Sequence, residues 1–203
     1  MLVDSESIAN EVMAQFITDA GWPMTGKESE AIFVGMRMTD VTDMIAQKTG
    51  RAVGDDWLPR FEAARDEAFK GRLKAVTGIN DVLDRLEAAK IATCVASSGS
   101  VEKMTFTLGL TGLLGRFTGR LYSSTAVPRG KPFPDIFLHA AESMRTAPVN
   151  CCVVEDSPFG ADAAQRAGMR CFGYAAAGKA ADLQAFDANV FFDMAHLPAL
   201  IGI

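Results

Sequence analysis

A doubly wound α/β protein carrying a helical insert is the fold class this sequence predicts, on three observations. From Gly78 to the C-terminus, short apolar runs alternate with helical patterns. From Ser7 to about Leu73 the pattern is helical throughout, with no strand. The chain is 203 residues long and 49% apolar, enough to bury a core without disulfide or metal staples.

In the first segment Ile8, Val12, Phe16 and Ile17 recur at helical spacing, and Trp57, Phe61, Ala64, Ala68 and Phe69 form a later stripe. Breaks at Gly21-Trp22-Pro23, Gly35, Gly50 and Gly54 divide it into about four helices. Residues 9–77 are therefore expected to be a helical domain, with residues 1–8 and 78–203 forming the α/β domain. In the latter, Asn80 to Ala89 reads as a helix, Ile91 to Ala96 as a strand, Val101 to Leu108 as a helix and Arg120 to Tyr122 as a short strand. Asp135 to Met144 follows as a helix, Cys151 to Val154 as a strand and Ala161 to Ala167 as a helix closed by Gly168. Arg170 to Tyr174 and, more weakly, Asn189 to Phe192 complete the strands. Strands that are apolar along their length, separated by helices, imply a parallel sheet covered on both faces.

Composition excludes several classes of function. A formal charge of −5 lacks the basic footprint that a nucleic acid or an anionic membrane requires. No apolar window approaches the ~18 residues of a membrane span, and Asp4 and Glu6 stand where a signal peptide needs a basic start and an apolar stretch. The expected location is the cytoplasm. Cys94, Cys151, Cys152 and Cys171 each lie in or beside a strand without the spacing of a zinc site, and are expected to be buried free thiols.

In sheets of this kind reactive groups collect where strands run into the next helix. Three such ends carry polar residues. After the strand at 91–96 comes Ser97-Ser98-Gly99-Ser100, either an ordinary helix cap or an anion site of hydroxyls and free N–H groups. Next is Arg129-Gly130-Lys131-Pro132-Phe133-Pro134-Asp135, where Lys131 is either a solvated side chain or a fixed cation; no nucleotide P-loop fits, because Pro132 follows the lysine. The third end is Glu155-Asp156-Ser157-Pro158-Phe159-Gly160. Adjacent carboxylates there repel unless a positive group lies between them, which suits a hard cation such as Mg²⁺ shared with a phosphate; alternatively Asp156 or Ser157 caps the next helix.

Taken together, these three ends resemble the second, third and fourth motifs of the haloacid dehalogenase-like superfamily, with Lys131 lying 34 residues after Ser97 and Glu155 another 24 beyond. The wording is similar to the branch containing β-phosphoglucomutase and small sugar-phosphate phosphatases, whose core is Rossmann-like and whose four-helix cap follows the first motif. The resemblance implies a Mg²⁺-dependent phosphatase acting on a small sugar phosphate or related monoester. By the same resemblance Ser97 contacts the transferring phosphoryl group, Ser97, Ser98 and Lys131 bind phosphate, and Lys131 also bridges to the nucleophile. Glu155 and Asp156 hold Mg²⁺, and in the cap loop Gly35 and Arg37 read the substrate, Arg37 having a plain surface position as its alternative. The implied partner is a small-molecule phosphate ester, with the protein a monomer or weak homodimer.

The chain departs from this pattern at its start. The family's nucleophilic aspartate and its acid/base aspartate belong to a motif D-x-D-G-x-L-x-D-S, of which Val3-Asp4-Ser5 matches only the end. The nucleophile and its strand would precede Met1, between the strands at 91–96 and 151–154, and the chain as printed is expected to be inactive alone. Asp4 matches the motif's later aspartate, not the nucleophile. A start read too late, a real truncation and a catalytically inactive domain that binds phosphate compounds or a partner all remain open. Ala9 stands where the mutases carry a histidine, which favours hydrolysis over a sugar phosphomutase.

Overall fold

The computed structural model describes residues 1–33, 36, 38–175 and 180–203. The chain divides into two compact units, one of Val3–Lys74 and the other of Met1–Leu2 with Ala75–Ile203.

The Val3–Lys74 unit is helical among its described residues: α1 (Glu6–Asp19), α2 (Gly26–Phe33), α3 (Met38–Thr49) and α4 (Trp57–Phe69). Met13 and Ile17 of α1, Phe33 of α2, Val41 and Ile45 of α3, and Trp57 and Phe61 of α4 form its core. Phe16 meets both Trp57 and Phe61 edge-on with centroids 5.8 Å apart, an arrangement the ring quadrupole favours. α1 is already helical at Glu6, with Ser5 C=O accepting from Ala9 N–H at 3.0 Å. The expected boundary at residue 8 therefore falls inside a helix and moves to Leu2.

The second unit contains α5 (Ile79–Ala88), β1 (Val95–Ser97), α6 (Val101–Leu110), β2 (Leu121–Ser123), α7 (Asp135–Ser143), β3 (Cys152–Glu155), α8 (Pro158–Arg166), β4 (Arg170–Tyr174), α9 (Ala180–Gln184), β5 (Asn189–Phe191) and α10 (Leu197–Ile201). α5 buries Ile79, Val82, Leu83 and Leu86, a one-face stripe. Ser157 caps α8, its Oγ accepting from Gly160 N–H at 3.1 Å, and Pro158 occupies the first turn, where its missing N–H costs nothing. Ala161, Ala163 and Ala164 then bring α8 close to the sheet.

All strand pairing is parallel, as expected, but among the described residues it forms two sheets, β1-β2 and β3-β4-β5. One core beneath them joins Ile136 and Phe137 of α7, Ala161 and Ala164 of α8, Val153, Cys171 and Leu183, with Ala96 and Tyr122 packed at its margin. Coverage on both faces holds for β4, where Cys171, Phe172 and Gly173 are buried. It fails for β1, whose three residues are only part-buried, and for β3, where Cys152 is exposed. Among the described residues each of these strands is paired along one edge. For the same reason the strand expected at 91–96 shortens to Val95–Ser97, matching the three residues of β2 that pair with it. All four cysteines are free, yet only Cys171 is buried, correcting the expectation for Cys152.

Candidate functional site

The three polar ends converge within the α/β unit. β1 delivers Ser97, and the chain then turns into α6, with Ser100 as its cap: Ser100 Oγ accepts from Lys103 N–H at 3.2 Å. Ser97 Oγ accepts from Gly99 N–H at 3.1 Å, so the hydroxyl is held in the turn between strand and helix. Ser98 is exposed beside it.

Two residues that sequence reasoning missed tie this turn to β2. Buried Ser123 donates from Oγ to Gly99 C=O at 2.8 Å, and Ser124 Oγ donates to Ser98 C=O at 3.1 Å. A hydroxyl run, Ser123-Ser124-Thr125, at the end of a strand was the signal available in the sequence.

Lys131 is buried along most of its length. Its Nζ donates to Ala96 C=O at 3.4 Å, forms an ion pair with Glu155 Oε1, and lies 4.8 Å from the centroid of the Phe137 ring. One ammonium therefore joins the end of β1 to the end of β3. The segment carrying it is braced by Arg129, whose guanidinium forms a two-pronged contact with Asp135 at 3.0 and 2.8 Å and covers the Phe133 ring at 4.5 Å. The hydrogen bonds from Arg129 hold the Asp135 carboxyl below its ordinary range.

The acidic pair is split by the alternation at a strand end. Glu155 turns inward and is 7% exposed. Its Oε2 accepts from Asp156 N–H at 3.3 Å and from Ser157 Oγ at 3.1 Å, while Oε1 receives Lys131. Gly160 makes room for it, because a β-carbon there would lie 2.6 Å from Oε1. Asp156 turns outward, a third exposed, with the Met1 ammonium 2.9 Å from its Oδ2. A burial cost is thus met for Glu155 by a cation and two neutral donors.

Among the described residues no three His, Cys, Asp or Glu side chains gather as a metal cluster. Glu155 and Asp156 carry carboxylate oxygens of the kind a hard cation takes, with those of Glu155 already engaged by Lys131, Asp156 N–H and Ser157. Ser97, Ser98, Lys131, Glu155 and Asp156 are all brought to the strand ends of this one unit. Gly35 and Arg37 lie outside the described residues.

The chain is 30% identical to the 6-phosphogluconate phosphatase of Escherichia coli over 86% of this chain and 78% of that one. A conserved haloacid dehalogenase-like protein of Agrobacterium tumefaciens superposes with a TM-score of 0.84 at 32% identity, covering 98% of this chain and 92% of the other. A HAD-family hydrolase of Deinococcus radiodurans, solved with bound phosphate and sodium, gives a TM-score of 0.82 at 28% identity over 98% and 90%. Residues 1–174 match the family described as haloacid dehalogenase-like hydrolase, to which this chain therefore belongs.

Proposed function

We propose that this chain is the greater part of a Mg²⁺-dependent phosphatase that hydrolyses a small sugar phosphate or related monoester through an aspartyl-phosphate. The observation that carries this reading is the Lys131 ammonium, fixed between the Ala96 carbonyl and the Glu155 carboxylate beside the Ser97 turn. A cation held in this way does not have to reorganise when charge develops on a transferring phosphoryl oxygen. The 6-phosphogluconate phosphatase named above supports a sugar phosphate as the substrate class.

In this reading Ser97 donates to a phosphoryl oxygen, the N–H groups of the Ser98 turn help to hold it, and Lys131 balances charge on that oxygen and on the attacking carboxylate. The nucleophile is an aspartate on a segment upstream of Met1. Its oxygen forms a bond to phosphorus as the ester P–O bond breaks, and the alcohol leaves with a proton from a second upstream acid. Water then cleaves the acyl phosphate, releasing inorganic phosphate and restoring the carboxylate. Glu155 and Asp156 would hold Mg²⁺, which screens the approach of one anion to another. Gly35 and Arg37 read the remainder of the substrate. The protein works in the cytoplasm as a monomer or weak homodimer, and residues 1–203 alone turn nothing over.

The test uses a chain extended at its N-terminus by a strand that ends in D-x-D-G. Mg²⁺-stimulated hydrolysis of p-nitrophenyl phosphate is expected from it, and Asp156→Ala should abolish that activity while the circular dichroism spectrum is retained. Full activity in the Asp156→Ala variant removes the assignment of the acidic pair. No hydrolysis by the extended parent leaves the inactive, phosphate-binding domain as the better reading.

A further inference from the structure

The segment that carries Lys131 runs over the surface while its lysine reaches inward. Pro128, Arg129, Gly130 and Phe133 are exposed, whereas the Lys131 side chain is 10% exposed, with its ammonium at Ala96 C=O and Glu155. Pro132 and Pro134 have no N–H to give, and the segment turns on itself through Phe133 N–H to Gly130 C=O at 3.0 Å. That turn by itself leaves the near end of a long side chain room to drift.

The pair Arg129–Asp135 holds that near end. Asp135 opens α7, and the next two residues, Ile136 and Phe137, are buried in the core, so its carboxylate stands on a fixed base. Arg129 Nε and Nη2 each donate to one oxygen of that carboxylate, at 3.0 and 2.8 Å, and the guanidinium lies 4.5 Å from the Phe133 ring centroid. Residues 129, 133 and 135 are thus tied together on either side of Lys131. An exposed ion pair adds little to stability as a rule, but a planar two-pronged one fixes direction as well as distance. Arg166 and Asp162 of α8 supply the comparison. They meet in the same way at 2.6 and 2.9 Å, and the exposures match: the two arginines are 56% and 50% exposed and both aspartates 13%. That second pair joins residues one helical turn apart and closes no loop.

We propose that Arg129 is a positioning residue: by gripping Asp135 it closes the 129–135 loop and fixes where the Lys131 ammonium lies between Ala96 and Glu155. It acts through Lys131 alone, and its consequence for rate rests on the phosphatase reading above. A lysine at 129 keeps the charge but loses the fork, so it does not replace the arginine.

The experiment acetylates the lysines of the 203-residue chain with acetic anhydride and follows each site by peptide mass spectrometry, with exposed Lys90 as the internal standard. Lys131 in the parent is expected to react about tenfold more slowly than Lys90. Arg129→Ala and Asp135→Asn should each raise the Lys131 rate about fivefold and leave Lys90 unchanged. Arg129→Lys should restore little of the protection, and Arg166→Ala should leave Lys131 as in the parent. In the N-terminally extended chain, Arg129→Ala should lower kcat for p-nitrophenyl phosphate by roughly ten- to a hundredfold while KM stays within about twofold. A Lys131 rate unchanged in Arg129→Ala, an equal rise in Arg166→Ala or full protection in Arg129→Lys overturns the proposal, as does an unaltered kcat for Arg129→Ala when the extended parent hydrolyses the ester. If the extended parent hydrolyses nothing while the contrast at Lys131 holds, the positioning of Lys131 stands and the phosphatase reading falls.

Discussion

Replacing Gly160 by alanine measures how firmly the Glu155 carboxylate is seated. The new β-carbon would stand 2.6 Å from Oε1 and nearer still to Oε2 and Cδ, so the carboxylate must leave its place. Residue 160 lies in the first turn of α8, where alanine by itself is better than glycine by about 1 kcal/mol. Against that gain, displacing Glu155 breaks a buried pair with Lys131, a loss of about 3–5 kcal/mol. The net loss of about 2–4 kcal/mol corresponds, at ~2–4 °C per kcal/mol for a chain of this size, to a fall in Tm of roughly 5–15 °C. Scanning calorimetry reads this directly. In a Glu155→Ala background the carboxylate is already gone, and Gly160→Ala should be neutral or stabilising by up to about 1 kcal/mol, giving a large positive coupling in the cycle. The reasoning is refuted if the single variant melts within about 2 °C of the parent, or if the loss is the same in both backgrounds.

Two further outcomes are expected. Ser123→Ala removes a buried hydroxyl that donates to Gly99 C=O and accepts from Thr125 N–H, and should cost about 1–3 kcal/mol in urea unfolding; a loss smaller than the experimental error would dissociate Ser123 from the Ser97 turn. Burial pushes Cys94 up to about 11 and Cys171 up to about 12 from an ordinary 9.0. Below that ordinary value both thiols are protonated folded and unfolded. Above it the unfolded chain ionises first, so stability should decline as pH rises from about 9 toward about 12. The urea midpoint should track this decline, and replacing both cysteines by alanine should flatten it.

What the sequence made legible follows from how local each signal is. β4 runs over Arg170–Tyr174, the span its apolar run predicts, because Gly168 ends α8's turn just before it and both of its edges are paired. The four helices of the insert follow from apolar spacing and glycine breaks for the same reason. β1 was over-read by four residues at its start, since an apolar run marks what can be buried, not what has a partner to bond. Glu155 and Asp156 read as one unit in sequence, whereas the pleat sends one inward to Lys131 and the other out to solvent. Contacts such as Lys131 to Glu155 and Ser123 to Gly99 join residues 24 apart, and no periodicity encodes them. The residue types nevertheless pointed to these strand ends, because a strand end limits where polar side chains can gather.

The way the chain crosses between its units has a consequence for how the insert is carried. Within the α/β unit Val76 N–H bonds to Leu2 C=O at 3.0 Å, and within the helical unit Asp4 N–H bonds to Lys74 C=O at 3.0 Å. Each unit thus clasps its own two strands of passage, and the excursion between them leaves and returns through one doorway. The entropy of closing such an excursion grows only with the logarithm of its length, each doubling adding about 0.6 kcal/mol. An insert can therefore lengthen, shrink or be exchanged for another without disturbing the clasp at Leu2 and Val76. The fold has in effect a socket at which helical modules are interchangeable, while the residues at the strand ends stay wired into the sheet.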